Sequence, residues 1–124
     1  MKASGSLVSV VDDDLSVRES LPDLLREFGF RVQSFSSAEE FLASGWVGRT
    51  ECLLLDVAMP GMTGPELQTE LVRIGQPTPV VFITGHPDEL ARGSLIEQGA
   101  VDCLLKQFSD FELREALDLV FASD

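Results

Sequence analysis

Short apolar runs alternate with amphipathic stretches along the chain, and this alternation predicts its secondary structure. Four of five predicted strands are mostly apolar runs that stop at a polar residue, as buried strands of a parallel sheet do. The strands are predicted at Leu7–Val11, Arg31–Phe35, Cys52–Leu55, Pro79–Ile83 and Val101–Leu105.

Between the strands, apolar residues recur every three or four positions, which predicts helices. Three helix starts carry a serine followed three residues later by a glutamate, the spacing of a capping box: Ser16 with Glu19, Ser37 with Glu40, and Ser109 with Glu112. Two more helices are predicted, one from about Pro65 and one from Pro87 to Gln98, which Gly99 closes.

Five strand–helix units in strict alternation predict an α/β fold. Each right-handed crossover between parallel strands needs a helix, so the helices cover both faces of the sheet. At this length we expect a doubly wound five-stranded parallel sheet of order 2-1-3-4-5, flanked by five helices, which is the flavodoxin-like arrangement. Residues 1–5 are predicted to be an N-terminal tail and residues 6–124 one domain.

Composition and charge narrow the class of protein. The 124 residues are 44% hydrophobic and 24% charged, which is typical of one globular domain. The net charge of −12 argues against direct binding to nucleic acid or to an anionic membrane. No apolar run approaches the ~18 residues of a membrane span. The two cysteines lack metal-site spacing and are interpreted as reduced thiols of a cytoplasmic protein.

Polar residues with complementary chemistry end four of the predicted strands. Asp12, Asp13 and Asp14 follow the first strand and Asp56 follows the third. The carboxyl ends of parallel strands share one edge, and strands 1 and 3 are neighbours in this order. We therefore expect these carboxylates to converge, flanked by residues that end the fourth and fifth strands, Thr84 and Lys106.

Such a pocket favours a cation and phosphoryl transfer. Carboxylates held together repel each other unless a cation compensates, and oxygen ligands beside water suit Mg²⁺. Mg²⁺, the Lys106 ammonium and the Thr84 hydroxyl would neutralise or hydrogen-bond phosphoryl oxygens around a carboxylate. Asp56 is the predicted nucleophile, and its product would be an acyl phosphate.

Four motifs in order resemble bacterial two-component response-regulator receiver domains, most closely the FixJ-type branch. The resemblance extends from about Ser6 to the last helix. The motifs are Val10-Val11-Asp12-Asp13, Leu55-Asp56 with Met59-Pro60-Gly61-Met62-Thr63-Gly64, Phe82-Ile83-Thr84-Gly85-His86, and Gly99-Ala100-Val101-Asp102 with Lys106.

The resemblance implies a role for each site residue. Asp56 would take a phosphoryl group from a sensor histidine kinase or phosphotransfer protein. Asp13 and Asp56 would bind Mg²⁺ directly, Asp12 through a water, and Ala58 through its backbone carbonyl. Lys106 and Thr84 would contact the phosphoryl group, and His86 and Ala58 would modulate its loss. Asp14 is interpreted as a solvated charge at a helix start.

The resemblance also implies an output. Movement of Thr84 would switch a face built from the fourth helix, fifth strand and fifth helix. This face would control a partner or an output domain, which we expect to act in transcription, or it would form a homodimer. The chain is expected to be a stand-alone receiver or part of a longer regulator. The domain is expected to be a signalling phosphoacceptor and not a turnover enzyme.

Two positions depart from the family pattern. Cys103 stands three residues before the lysine, where the family usually has Tyr or Phe, and is interpreted as a strand-core residue too small to move as that lever. Gln107 replaces a proline that usually follows a cis peptide. Because a cis bond before Gln costs roughly 2.5–4 kcal/mol, we expect a trans bond, a reshaped loop and an altered position for Lys106.

Three other functions fit part of the pattern. A haloacid-dehalogenase-like phosphatase would use Asp12 of the Asp-x-Asp motif, but would leave Asp56 without a role. A flavin module would place a phosphate loop where three aspartates stand. A pseudo-receiver would act only as an interaction surface, independently of phosphorylation, and Cys103 and Gln107 favour this alternative.

Overall fold

A computed structural model of the chain describes residues 5–85 and 88–121. Within these ranges, five strands alternate with five α-helices. The strands are β1 (Leu7–Val11), β2 (Arg31–Phe35), β3 (Cys52–Asp56), β4 (Val80–Thr84) and β5 (Asp102–Leu105). The helices are α1 (Leu15–Glu27), α2 (Ala38–Ala43), α3 (Gly64–Arg73), α4 (Glu89–Glu97) and α5 (Asp110–Phe121), and a short 3₁₀ helix covers Val47–Arg49.

The five strands form one parallel sheet in the order β2-β1-β3-β4-β5, as predicted. The registers place Val11 opposite Leu55 and Asp56 opposite Ile83. The carboxyl ends of β1, β3 and β4 therefore meet at one edge, where the order of the strands reverses. Ligands bind at this position in open α/β sheets.

The two faces of the sheet are buried separately. On one face, the side chains of Val8, Val10 and Leu54 pack against α1 and α5. On the other face, Leu53, Leu55 and their neighbours pack against α2, α3 and α4. All five residues of β1 and of β3 are buried, which explains why these strands are apolar apart from Ser9, which hydrogen-bonds Thr50, and the terminal Asp56.

Local signals in the sequence fix most helix ends. The Ser37 hydroxyl accepts a hydrogen bond from Glu40 N, and Ser109 with Glu112 forms a reciprocal capping box, as predicted. Gly99 follows α4 with φ +113°, a conformation that favours glycine. The predicted start of α4 at Pro87 lies outside the described residues. In those residues, no helix is long and apolar enough to span a bilayer.

Candidate functional site

Three carboxylates meet where β1 and β3 end. One oxygen from each of Asp12, Asp13 and Asp56 lies within 4.8 Å of the others. Asp12 is fully buried, Asp56 is 3% exposed and Asp13 is exposed. We call these three residues the acidic edge. Their convergence, predicted from the strand order, brings the predicted nucleophile and candidate metal ligands into one pocket that is open to water on one side.

The start of α1 holds the acidic edge in place. Asp12 Oδ1 accepts a hydrogen bond from Asp14 N at 2.9 Å, and the Asp14 carboxylate caps the helix by accepting from Ser16 N at 3.0 Å. These bonds from Ser16 lower the pKa of Asp14. The predicted capping box of Ser16 with Glu19 is therefore wrong. The helix begins at Leu15 because the loop geometry at Asp12 makes Asp14, and not Ser16, the residue whose side chain caps it.

Arg18 is a supporting residue that the sequence analysis missed. Its guanidinium group, one turn into α1, donates a hydrogen bond of 2.9 Å to the backbone carbonyl of Asp12. The bond fixes the peptide that connects Asp12 to Asp13. The signal available in the sequence was the position of Arg18, six residues after Asp12 and near the start of a predicted helix.

Lys106 reaches the acidic edge from the end of β5. Its Nζ lies 3.2 Å from Asp12 Oδ1, 3.4 Å from Asp56 Oδ2 and 3.9 Å from Asp14. Its backbone N donates to the Thr84 carbonyl at 2.7 Å, which ties the ends of β4 and β5 together. The bond to Gln107 is trans, as expected. Lys106 therefore contacts the carboxylates although no proline follows it.

The charges in this pocket are not balanced by protein groups alone. Burial, the hydrogen bond with Asp12 and the charge of Asp12 raise the pKa of Asp56 to about 7, against the opposing effect of Lys106. Burial acts to lower the pKa of Lys106, but its bonds and charge interactions with Asp12 and Asp56 raise it overall. The ammonium thus stays charged, and further positive charge is needed to ionise Asp56 at low energetic cost.

The donor set fits Mg²⁺. Within the described ranges, Asp12 Oδ2 is the buried side-chain oxygen that lacks a hydrogen-bond partner, and it belongs to the acidic edge. A buried unpaired carboxylate oxygen is costly unless a ligand or water uses it. Three carboxylates beside water are the oxygen donors that Mg²⁺ takes while keeping several waters. A divalent cation would offset both the unpaired oxygen and the repulsion that raises the pKa of Asp56.

The loop between β3 and α3 closes against Asp56. Ala58 N donates to Asp56 Oδ1 at 3.3 Å, so Ala58 lies beside the predicted nucleophile. Gly64 N donates to the Val57 carbonyl at 3.0 Å, and a Cβ on Gly64 would overlap the carbonyl oxygen of Asp56. Only glycine permits this approach. Its importance for packing is a second feature that sequence reasoning missed, although Gly64 was part of a quoted motif.

The remaining predicted residues lie outside the acidic edge. Thr84 ends β4 and is partly exposed, and Gln107 is exposed in the turn after Lys106. Cys103 is 7% exposed and packs in the core with α4, in agreement with the interpretation of a strand-core residue. Burial raises the pKa of its thiol. His86 lies outside the described residues.

Sequence comparisons identify the family. The model of the response regulator receiver domain matches residues 8–118. Nodulation protein W of Bradyrhizobium diazoefficiens is 46% identical over 112 residues, which cover 90% of this chain and 49% of that protein. The transcriptional regulatory protein FixJ of Azorhizobium caulinodans is 42% identical over 103 residues, which cover 83% of this chain and 49% of that protein. The chain spans about half the length of these curated relatives.

Solved structures agree with the sequence comparisons. The response regulator StyR is 41% identical with a TM-score of 0.85, over 96% of this chain and 60% of that chain. The FixJ-N crystal structure is 35% identical with a TM-score of 0.82, over 94% of each chain. The sheet order, the match over residues 8–118 and these relatives lead to one conclusion. The chain belongs to the response-regulator receiver domains of two-component systems.

Proposed function

We propose that Asp56 accepts a phosphoryl group from the phosphohistidine of a sensor kinase or phosphotransfer protein, in a reaction that requires Mg²⁺. The observation that carries this proposal is the convergence of the acidic edge with Lys106. The nucleophilic carboxylate, two further carboxylates and one ammonium group lie together at the reversal point of the sheet.

The acidic edge supplies the metal ligands in this proposal. Asp13 and Asp56 bind Mg²⁺ directly, Asp12 binds through a water, and Ala58 contributes its backbone carbonyl. When bound, Mg²⁺ supplies positive charge that keeps Asp56 ionised and neutralises the phosphoryl oxygens. The buried Asp12 Oδ2 supports this assignment, because no described residue donates a hydrogen bond to it.

Asp56 forms the new bond in the reaction. A carboxylate oxygen attacks phosphorus, the N–P bond of the phosphohistidine breaks, and the imidazole leaves with the electron pair and takes a proton. Lys106 is placed to neutralise charge on the transferred group, and the Thr84 hydroxyl is proposed to donate to one of its oxygens. Hydrolysis of the acyl phosphate later restores the carboxylate. The domain thus promotes its own phosphorylation and dephosphorylation.

The buried position of Asp12 argues against the phosphatase alternative. Its side chain is fully buried, and its Oδ1 accepts hydrogen bonds from Asp14 N and Lys106 Nζ. A nucleophile for free phosphate esters needs a carboxylate oxygen that the substrate can reach, and the Asp12 side chain is fully buried with Oδ1 already hydrogen-bonded.

The mass of the intact protein tests the proposal. Wild type incubated with Mg²⁺ and acetyl phosphate is expected to gain one phosphoryl group, and Asp56→Asn to gain none. Asp23→Asn, which removes an exposed carboxylate of α1, is the matched control and should behave as wild type. Absence of a gain in wild type that still binds Mg²⁺ would overturn the proposal in favour of the pseudo-receiver. Phosphorylation of Asp56→Asn would move the acceptor elsewhere.

We extend the proposal to the signalling system in which this domain acts. Curated relatives are named as transcriptional regulators, so we propose that this receiver controls a transcriptional output from a cytoplasmic location. His86 and Ala58 are proposed to modulate loss of the phosphoryl group, and Cys103 and Gln107 to alter switching. The domain boundaries at residues 5 and 6, and a homodimer through the face of α4, β5 and α5, remain predictions.

A further inference from the structure

The loop between β3 and α3, residues 57–63, begins beside Asp56, and its middle is exposed to solvent. Met59 is buried in the core, whereas Pro60 and Gly61 are exposed. Pro60 has no backbone N–H to donate. Gly61 turns the chain with φ +74°, a conformation that favours glycine. Contacts with other parts of the molecule are therefore needed to hold this turn in one arrangement.

Glu39 supplies such a contact from the first turn of α2. Its Oε2 accepts a hydrogen bond of 2.9 Å from Met62 N, 23 residues further along the chain. Glycine leaves room for this oxygen, because a Cβ on Gly61 would lie 2.7 Å from it. The bond from Met62 N, and one from the backbone of Glu39 itself, lower the pKa of this carboxyl group. Glu39 is therefore ionised at neutral pH and holds the outer end of the turn.

Helix α2 presents Glu39 from a fixed base. Ala38 and Phe41, on either side of it in the helix, are fully buried and belong to the same core cluster as Met59. The start of α2 therefore cannot shift without disturbing the core. The loop is held to this helix at two points, by Met59 inside the core and by Met62 at the surface.

These two attachments determine how Ala58 is placed. Ala58 directly precedes Met59, and its N–H donates to Asp56 Oδ1 at 3.3 Å. In the proposed function, the carbonyl of Ala58 is a ligand of Mg²⁺. A backbone carbonyl has no side chain that could orient it, so its direction depends on how the neighbouring peptides are held.

We propose that Glu39 is a positioning residue for the metal site, a role that rests on the proposed function. Its bond to Met62 N holds the β3–α3 loop in the arrangement that presents the Ala58 carbonyl to Mg²⁺. Glu39 acts through the backbone of the loop and not by binding the cation. Substitution of Glu39 therefore leaves every carboxylate of the acidic edge in place.

Isothermal titration calorimetry of Mg²⁺ binding to the whole chain at neutral pH tests this role. Glu39→Ala is expected to weaken binding about tenfold, the lower end of the loss typical when a group that orients a metal ligand is removed. Glu39→Gln keeps an oxygen acceptor of the same reach, so it should bind Mg²⁺ nearly as tightly as wild type. If the negative charge alone mattered, Glu39→Gln would bind as weakly as Glu39→Ala, and the proposal would be overturned.

Glu51→Ala is the matched control. The exposed Glu51 accepts a hydrogen bond of 3.0 Å from Leu7 N, so it also ties two distant segments together through a backbone N–H. It lies at the amino ends of β1 and β3, at the opposite end of the sheet from the acidic edge. Urea denaturation should show a similar loss of stability in Glu39→Ala and Glu51→Ala, but only Glu39→Ala should lose affinity for Mg²⁺.

NMR of the metal-free chain gives a second measurement, which does not require bound Mg²⁺. The backbone amide resonances of Met62 and Ala58 should both move in Glu39→Ala, because the loop changes its arrangement. Both should stay at their wild-type positions in Glu51→Ala. A change at Met62 that does not reach Ala58 would make Glu39 a local structural contact and overturn the proposal.

The remaining outcomes separate this inference from the proposed function. Wild type that binds Mg²⁺ and is phosphorylated on Asp56, while Glu39→Ala binds Mg²⁺ equally tightly, would overturn the role of Glu39 alone. Equal weakening in Glu51→Ala would do the same, because it would indicate a general effect of stability or charge. Wild type that binds no Mg²⁺ would overturn the proposed metal site and the role of Glu39 with it.

Discussion

The acidic edge and a cavity of about 500 Å³ between α4, β5 and α5, called here the α4–α5 cavity, lie at neighbouring parts of the same sheet and are built by opposite means. At the acidic edge, Asp12 and Asp56 are buried, and charged groups crowd within hydrogen-bond distance of Lys106. At the cavity, small side chains leave space, and carboxylates stand at the rim. The comparison teaches that converging strand ends concentrate charge at the acidic edge, whereas small side chains such as Ala91 and Cys103 leave open space beside α4.

Gly64→Ala is expected to have the largest effect because it disrupts the crowded region. The new Cβ would overlap the Asp56 carbonyl and lie 3.0 Å from the Phe82 ring, so the start of α3 must shift. We expect the free energy of unfolding to fall by about 3 kcal/mol, at the upper end for overpacking. Urea denaturation measures it. Gly45→Ala is the control, since nothing lies within 4 Å of the added Cβ. Equal stability of the two variants would contradict close packing at Gly64.

Lys106→Met tests the charge balance of the acidic edge. Without the ammonium group, charge on the transferred phosphoryl group loses a partner, and the pKa of Asp56 rises further. We expect the rate of phosphorylation by acetyl phosphate to fall roughly 100-fold, the size typical of one lost electrostatic contact in a reacting site. The time course of intact mass measures this rate. Arg73→Met, on the exposed surface of α3, should keep the wild-type rate. A wild-type rate in Lys106→Met would show that Lys106 is only structural.

In the absence of a metal ion, the pH dependence of the free energy of unfolding measures how strongly the carboxylates of the acidic edge affect one another. The raised pKa of Asp56 means that the folded chain holds a proton that the unfolded chain releases above about pH 4. With Mg²⁺ chelated by EDTA, the free energy of unfolding should therefore decrease as pH rises towards about 7. We expect a change on the order of 1–2 kcal/mol, limited by water that reaches the open side of the pocket.

Two comparisons sharpen this pH prediction. Asp56→Asn cannot titrate and should show a flatter profile, with higher stability than wild type above pH 7 in EDTA. Excess Mg²⁺ should stabilise wild type at pH 8 and do little for Asp56→Asn. A wild-type profile that rises between pH 4 and 7 would contradict the direction of the Asp56 shift.

Alanine substitutions of the two cysteines compare the packed core with the cavity, and we expect them to have the smallest effects. Cys52 is fully buried inside the sheet core, and its pKa is raised to about 12 by burial, whereas Cys103 borders the cavity. We expect Cys52→Ala to lower the free energy of unfolding by about 1 kcal/mol and Cys103→Ala by less than about half of that, since fewer atoms lose contacts. Urea denaturation of the two variants side by side measures the difference. The reverse order would mean that Cys103 is packed on all sides.

The acidic edge was predictable from sequence because strand ends are marked by residue type. Once Asp12 and Asp56 are assigned to the ends of β1 and β3, the strand order alone brings them together. The capping of α1 was not predictable in the same way, because both Asp14 and Ser16 are good N-terminal residues and the choice depends on the loop geometry at Asp12. The cavity was less predictable still. Cys103 indicated a small side chain, but whether neighbours fill the space is decided by tertiary packing.

The hydrogen bonds among Arg92, Asp102 and Cys103 affect how the edge strand β5 can interact with other molecules. In the described sheet, β5 pairs with β4 on one side and forms the edge on the other. Within β5, the backbone N–H of Cys103 donates to the Asp102 carboxylate at 2.7 Å, and its carbonyl accepts a hydrogen bond from Arg92 at 3.2 Å. An incoming strand from another molecule would find both groups occupied by side chains. This arrangement protects the border against strand addition and the aggregation that follows from it.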